Sequence, residues 1–146
     1  MALTAYTDGA CRISNPGLCS CAWVLYVNGV EDSYGSRYLG PAFHTNNYAE
    51  YQGLITLLEI LYANSFRNVI IHCDSELVVN QTLGKWEINQ SDLKVLATKC
   101  YGLLVQGCHV LKHIKGHAGN KGNERADELC NEHLDLEMEA YYATKS

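Results

Sequence analysis

Proline is scarce in this 146-residue chain, at 2 copies, and no stretch rich in Ser, Gly and Pro, or in charge of one sign, marks a linker or disordered arm. No internal repeat is visible. With 47% hydrophobic residues over 146 positions, the chain can build one substantial core, so a single domain is expected. No window holds the roughly 18 consecutive apolar residues that a membrane span requires. The opening MALTAYTDGA has neither the basic nor the apolar segment of a signal peptide. A soluble, cytoplasmic protein with no membrane partner is the expectation.

Positive charge is short as well. Eleven Lys and Arg face 16 Asp and Glu, a formal net charge of −5, which argues against gripping nucleic acid over a wide basic face. If four of the acids held two divalent cations, however, the ions would bring about four positive charges to the place where a phosphate must sit. Cysteine pairing signals are missing too. The seven cysteines (Cys11, Cys19, Cys21, Cys73, Cys100, Cys108 and Cys130) are odd in number and include no Cys-x-x-Cys pair. Without a secretion signal they are expected to be mostly reduced, buried small residues. A zinc site on Cys19 and Cys21 is disfavoured, because paired zinc ligands usually have two to four residues between them and only Ser20 lies between these.

The patterning is alternately strand-like and helical. Leu3 to Thr7 and Ser20 to Val27 are β-rich runs, and Asn28-Gly29 before a third run, Tyr34 to Leu39, predicts a hairpin within an antiparallel meander. Thr45 to Asn64 turns helical, with Leu54, Leu57, Leu58 and Leu61 on one face and Thr45 or Asn46 as cap. Val69 to Cys73 predicts a short strand. Helices are expected from Ser75 to Leu83 and from Asp92 to Val105, stopping at Gly84 and Gly107. Cys108 to Lys115 alternates as a strand, Gly116 to Gly122 forms a loop, and Asn123 to about Leu134 is the last helix. This order describes an α/β layer with a mixed sheet. The expected domain spans residues 1–134, followed by an acidic C-terminal tail, residues 135–146.

Four acids stand at inward-facing positions. Glu50 precedes Leu54, Leu57, Leu58 and Leu61 at helical spacing, which aims its carboxylate at the sheet. An unpaired carboxylate there would cost several kcal/mol, so it should meet a cation, a metal or many donors. The plainer alternative is a solvated acid in the first helical turn, favoured by the dipole. Asp74 ends a strand at the edge where α/β sheets bind ligands, unless it is only the N-cap of the next helix. Asp8 also ends its strand, unless it opens a turn with Gly9. Asp127 lies three and seven residues before Cys130 and Leu134, beside another buried stripe.

Any one of these acids is ordinary. Together they suggest a cluster that like-charge repulsion permits only around metal ions. Oxygen-only ligands favour Mg²⁺ or Mn²⁺, and two such ions about 4 Å apart support in-line phosphoryl transfer, which is nuclease chemistry. A glycosidase would leave four crowded acids unexplained. The common aspartyl-phosphatase motif needs a second Asp two places after the first, where this chain has Ala10.

Five blocks carry a resemblance: T-D-G-A-C at Thr7 to Cys11, N-P-G at Asn15 to Gly17, T-N-N-x-A-E at Thr45 to Glu50, C-D-S-E-L-V-V at Cys73 to Val79, and K-G-H-A-G…N-E-R-A-D at Lys115 to Asp127. The chain resembles ribonuclease HI over about residues 3 to 134, in wording most like the archaeal and plant-type branch. The resemblance implies an RNase H-like α/β fold, a five-stranded mixed β-sheet flanked by α-helices. It implies an endonuclease that cuts the RNA strand of RNA·DNA hybrids and leaves 5′-phosphates, with two Mg²⁺ or Mn²⁺ ions on Asp8, Glu50, Asp74 and Asp127. It maps a mobile histidine, which assists proton transfer or product departure, onto His117. Implied substrate contacts are Asn15, Asn46 and Asn47 in the minor groove, Thr45 at a phosphate, and Cys11 and Asn80 or Glu76 nearby. Recognition of this kind reads 2′-hydroxyls and sugar-phosphates, to which Asn side chains both donate and accept. Capping and turn duty is the plainer role for the same residues.

Departures accompany the resemblance. No basic handle stands between Leu83 and Asp92, where only Lys85 beside Trp86 remains. Glu76 replaces the Gln of many relatives, and Arg12 to Ser14 is one residue longer than in common bacterial members. The rival reading is a catalytically silent nucleic-acid-binding module on the same fold, which the four intact acids disfavour. A domain of a larger polyprotein is another possibility, although a free-standing, monomeric enzyme is the expectation.

Overall fold

The computed structural model describes residues 1–116 and 119–145. Strands β1 (Leu3–Arg12), β2 (Leu18–Val27) and β3 (Val30–Tyr38) form an antiparallel meander. Helix α1 (Asn46–Ala63) then crosses to β4 (Ile70–Cys73), which pairs parallel with β1. Helices α2 (Glu76–Thr82) and α3 (Ser91–Gly107) lead to β5 (Val110–His113), parallel to β4, and α4 (Lys121–Lys145) follows. The sheet order is β3-β2-β1-β4-β5, the five-stranded mixed sheet that was expected. Among the described residues, no helix is long and apolar enough to cross a membrane.

Alternation along β1 separates two layers. Ala5 faces the larger core, with the α1 leucines and residues of α3, whereas Ala10 packs against Ala22, Leu129 and Cys130 under α4. The β2–β3 hairpin turns at Asn28 and Gly29, whose φ values of 51° and 81° are both left-handed, as a type I′ turn demands. Helix α1 is capped by Thr45, whose side chain accepts from the Tyr48 amide at 3.1 Å.

Three expectations need correction. Strand β1 does not stop at Thr7: it pairs with β2 as far as Arg12↔Leu18, so the turn signal of Asp8-Gly9 is overridden by a partner strand. The last helix does not end near Leu134. Residues 135–145 continue α4, because Leu136, Glu137, Met138, Glu139 and Ala140 favour helix and because Arg12 pairs with Asp135 while His133 lies 3.6 Å from Glu137. The cysteines are mostly reduced, as expected, with five of the seven free, but Cys11 and Cys19, which the antiparallel register sets opposite each other, form a disulfide. Of the free cysteines, Cys21, Cys73, Cys100 and Cys130 are buried and Cys108 is exposed.

Candidate carboxylate site

The parallel register of β1 with β4 ends at Thr7↔Cys73, so the next residues, Asp8 and Asp74, meet at the carboxyl end of β4. Asp8 is therefore a mid-strand residue, 4% exposed, and opens no turn. The cap of α2 is Ser75, which accepts from the Val78 amide, so Asp74 is not the capping residue. Helix α1 reaches this edge because two glycines let backbone meet backbone. A Cβ on Gly53 would lie 2.7 Å from the Asp8 carbonyl oxygen, and one on Gly9 would lie 2.4 Å from the Ala49 carbonyl carbon. That approach delivers Glu50 to Asp8. Glu50 follows the first turn of α1, which contains no acid, so the dipole reading of Glu50 does not hold. Helix α4 brings Asp127 in from the opposite face, on the side of the buried Cys130 and Leu134.

The electrostatics record the crowding. Burial, then the charge of Asp74, then a hydrogen bond and charge from Asp127 push the Asp8 carboxyl up to about 8, against a smaller opposing effect of the Gly9 amide. Glu50 is held well above the usual carboxylate range by burial, then by the charges of Asp8 and Asp74 and a hydrogen bond with Asp8. Burial and like charge thus both oppose ionisation of Asp8 and Glu50. Glu50 Oε2 is buried, and among the described residues no donor reaches it.

Ligand-type atoms of Glu50, Cys73 and Asp74 lie within 4.8 Å of one another. The Cys73 thiol is fully buried and its pKa is raised well above normal, chiefly by that burial, so it lines the site as a poor ligand beside the oxygen donors of Glu50 and Asp74. An orphaned buried oxygen, carboxyls reluctant to ionise and an oxygen donor set fit a hard divalent cation.

The remaining residues divide into two groups. Asn15 Oδ1 accepts from the Asn46 amide at 2.9 Å, and Gly17 bridges His44, which ties the β1–β2 loop to the start of α1. Asn15, Thr45 and Asn46 are exposed there, beside the half-buried Asn47. Cys11 Sγ sits 3.4 Å from the His44 carbonyl at the same corner, engaged in its disulfide. Asn80 belongs elsewhere: it stands on α2 and its amide donates to the Glu76 carbonyl at 3.0 Å, with Glu76 exposed. His117 lies outside the described residues, although its neighbour Gly116 is placed so that a Cβ would come 3.3 Å from Asp74 Oδ2. Sequence reasoning missed Gly9, Gly53, Cys73 and Asn131. Asn131 was findable, because it follows Asp127 by one helical turn and donates to Asp127 Oδ1 at 3.0 Å.

Fold and site define an α/β protein with a carboxylate-rich cluster at one sheet edge, chemistry suited to divalent cations. The chain belongs to the RNase H family, whose pattern matches residues 1–135. It is 39% identical to Ribonuclease HI of Halobacterium salinarum over 132 residues, which make up 90% of this chain and 63% of that protein. It is 33% identical to Ribonuclease H of Francisella philomiragia over 138 residues, 87% of each chain. The crystal structure of RNase H1 from Halobacterium salinarum superposes with a TM-score of 0.82 at 36% identity, covering 92% of this chain and 98% of that one. LC11-RNase H1, solved in complex with an RNA/DNA hybrid, superposes with a TM-score of 0.81 at 32% identity, covering 93% and 99%.

Proposed function

We propose that this chain is a divalent-cation-dependent endoribonuclease that hydrolyses the RNA strand of RNA·DNA hybrids. The observation that carries the reading is the convergence of Asp8, Glu50, Asp74 and Asp127 on one edge of the sheet, with Glu50 Oε2 buried and unserved. Family membership and the hybrid seen bound to the LC11 relative support it. Asp8, Glu50, Asp74 and Asp127 would hold two Mg²⁺ or Mn²⁺ ions, which when bound supply Lewis acidity to the attacking and leaving oxygens of an in-line displacement.

The chain's own residues do the rest. Asn15, Thr45, Asn46 and Asn47, gathered at the corner where the β1–β2 loop meets α1, present donors and acceptors to the 2′-hydroxyls and phosphates. The N-terminus of α1 adds favourable dipole charge at the same corner. His117 moves a proton at the leaving or attacking oxygen. Water adds to phosphorus and the P–O3′ bond of the RNA breaks, leaving a 5′-phosphate and a 3′-hydroxyl. We take the enzyme to act as a monomer in the cytoplasm.

The test is cleavage of end-labelled RNA·DNA, RNA·RNA and single-stranded RNA with Mg²⁺, Mn²⁺ or excess chelator. Internal cuts in the RNA of the hybrid alone, lost in chelator, are expected. Equal cleavage in chelator, or none of the hybrid with either ion, overturns the reading.

A further inference from the structure

We infer that Asn131, oriented by Arg12, is a positioning residue that sets the Asp127 carboxylate for cation binding. This rests on the cation-dependent reading above. Asp127, Asn131 and Asp135 recur every four residues along α4 and so share one face of the helix. The Asn131 amide donates to Asp127 Oδ1 at 3.0 Å and to the Asp127 carbonyl at 2.9 Å. Arg12 Nη2 donates to Asn131 Oδ1 at 2.9 Å and approaches the Asn131 carbonyl at 3.3 Å, while Nη1 pairs with Asp135.

This chain of bonds has a direction. A guanidinium only donates, so the amide oxygen of Asn131 must face Arg12 and its NH₂ must face Asp127. The orientation of an otherwise ambiguous amide is thereby imposed by Arg12. With Oδ1 engaged by Asn131, the Asp127 carboxylate still shares a hydrogen bond with Asp8, so it links the polar network to the acid cluster.

Stability is a poor explanation for the network. The Arg12–Asp135 pair is solvent-accessible, with side chains 31% and 64% exposed, and such pairs contribute little to stability. Position is the better explanation. Asp8 and Arg12 share one face of β1, where Ala22, Leu129 and Cys130 cluster with Ala10 and where α4 also buries Ala126 and Leu134. Apolar packing holds α4 against the sheet, and the directional bonds orient the Asp127 carboxylate on it.

The experiment titrates Mn²⁺ into the full chain by calorimetry, for the parent, Asn131→Ala, Arg12→Met and Arg12→Lys, with thermal unfolding of each in chelator. Asn131→Ala should bind Mn²⁺ about 10- to 100-fold more weakly, the usual cost of losing a group that orients a ligand. Arg12→Met should weaken binding by a smaller factor. Arg12→Lys, which keeps a donor to the amide oxygen, should restore it, and unfolding temperatures in chelator should stay near the parent's. If Asn131→Ala unfolds too early to titrate, Arg12→Met decides. Parent-like Mn²⁺ affinity in the folded variants overturns the inference while leaving the cation-dependent reading intact. A parent that binds no Mn²⁺ overturns both.

Discussion

Between the sheet and α1 lie Leu54, Leu57, Leu58 and Leu61, none more than 1% exposed, in a core that also takes in α3. Between the sheet and α4 the buried apolar residues include Ala22, Ala126, Leu129, Cys130 and Leu134, joined by a Ser20–Cys130 carbonyl hydrogen bond of 2.7 Å and by the Arg12 network. The carboxylates occupy the edge where both layers meet. Both faces remove apolar area from water, and the α4 face adds directional bonds that hold charge in place. A site whose acids repel one another is kept together because that burial can bear the cost.

The comparison breaks most sharply at Asp8. Asp8→Asn should abolish hybrid cleavage yet raise the unfolding temperature of the metal-free protein near neutral pH, since it removes the cost of keeping a buried carboxyl protonated in a crowded cluster. Added Mg²⁺ should shrink that difference by stabilising the parent selectively. Thermal unfolding in chelator and then in Mg²⁺ measures it, and a mutant clearly less stable in chelator would mean that Asp8 has a structural role.

The same strain has a pH signature. The folded Asp8 carboxyl titrates near about 8 against an ordinary value of 3.8. Below 3.8 both states keep the proton and the penalty is absent. Between the two values the unfolded chain ionises first, so stability falls as pH rises, and above the folded value the penalty is complete and constant. Denaturant unfolding in chelator should show this decline, by several kcal/mol, across the interval. Stability that climbs with pH there would contradict a strained cluster.

On the apolar face, Leu58→Ala should cost about 2 to 5 kcal/mol by transfer and cavity effects, with no new pH dependence and with cleavage retained below its melting point. Chemical denaturation with a parallel activity assay separates that outcome from damage to the site. His117→Ala is expected to slow turnover by about 10- to 1000-fold without abolishing it. Single-turnover rates matching the parent's would return His117 to an ordinary loop residue. The smallest effect is at the helix cap, where Thr45→Ala should lose about 1 kcal/mol along with the bond to the Tyr48 amide. Thr45→Ser should recover it in the same unfolding measurement.

The acids were visible in the sequence because their signals are local. Glu50 stands in register with a leucine stripe, and Asp74 follows an apolar strand, both within a few residues of what betrays them. Asp8 was found for a partly mistaken reason. It was taken as a strand end, whereas it is a mid-strand residue that happens to lie one step past the last pair of β1 with β4. Charge in residues 135–145 looked like a solvated tail because composition alone cannot show that Asp135 meets Arg12 across 123 residues. The disulfide escaped for the same reason, since Cys11 and Cys19 become neighbours only through the β1–β2 register.

Periodicity, turn chemistry and motif spacing by themselves determined the α/β class, the hairpin at Asn28-Gly29, the buried face of α1 and the identity of four inward acids, because each depends on residues adjacent or one helical turn apart. Only the tertiary structure decided which acid meets which, how closely α1 approaches β1 over Gly9 and Gly53, and that Arg12 fixes the Asn131 amide beside Asp127. Those outcomes depend on strand register and on helices laid across a sheet, and the contacts that set them join residues far apart in the chain.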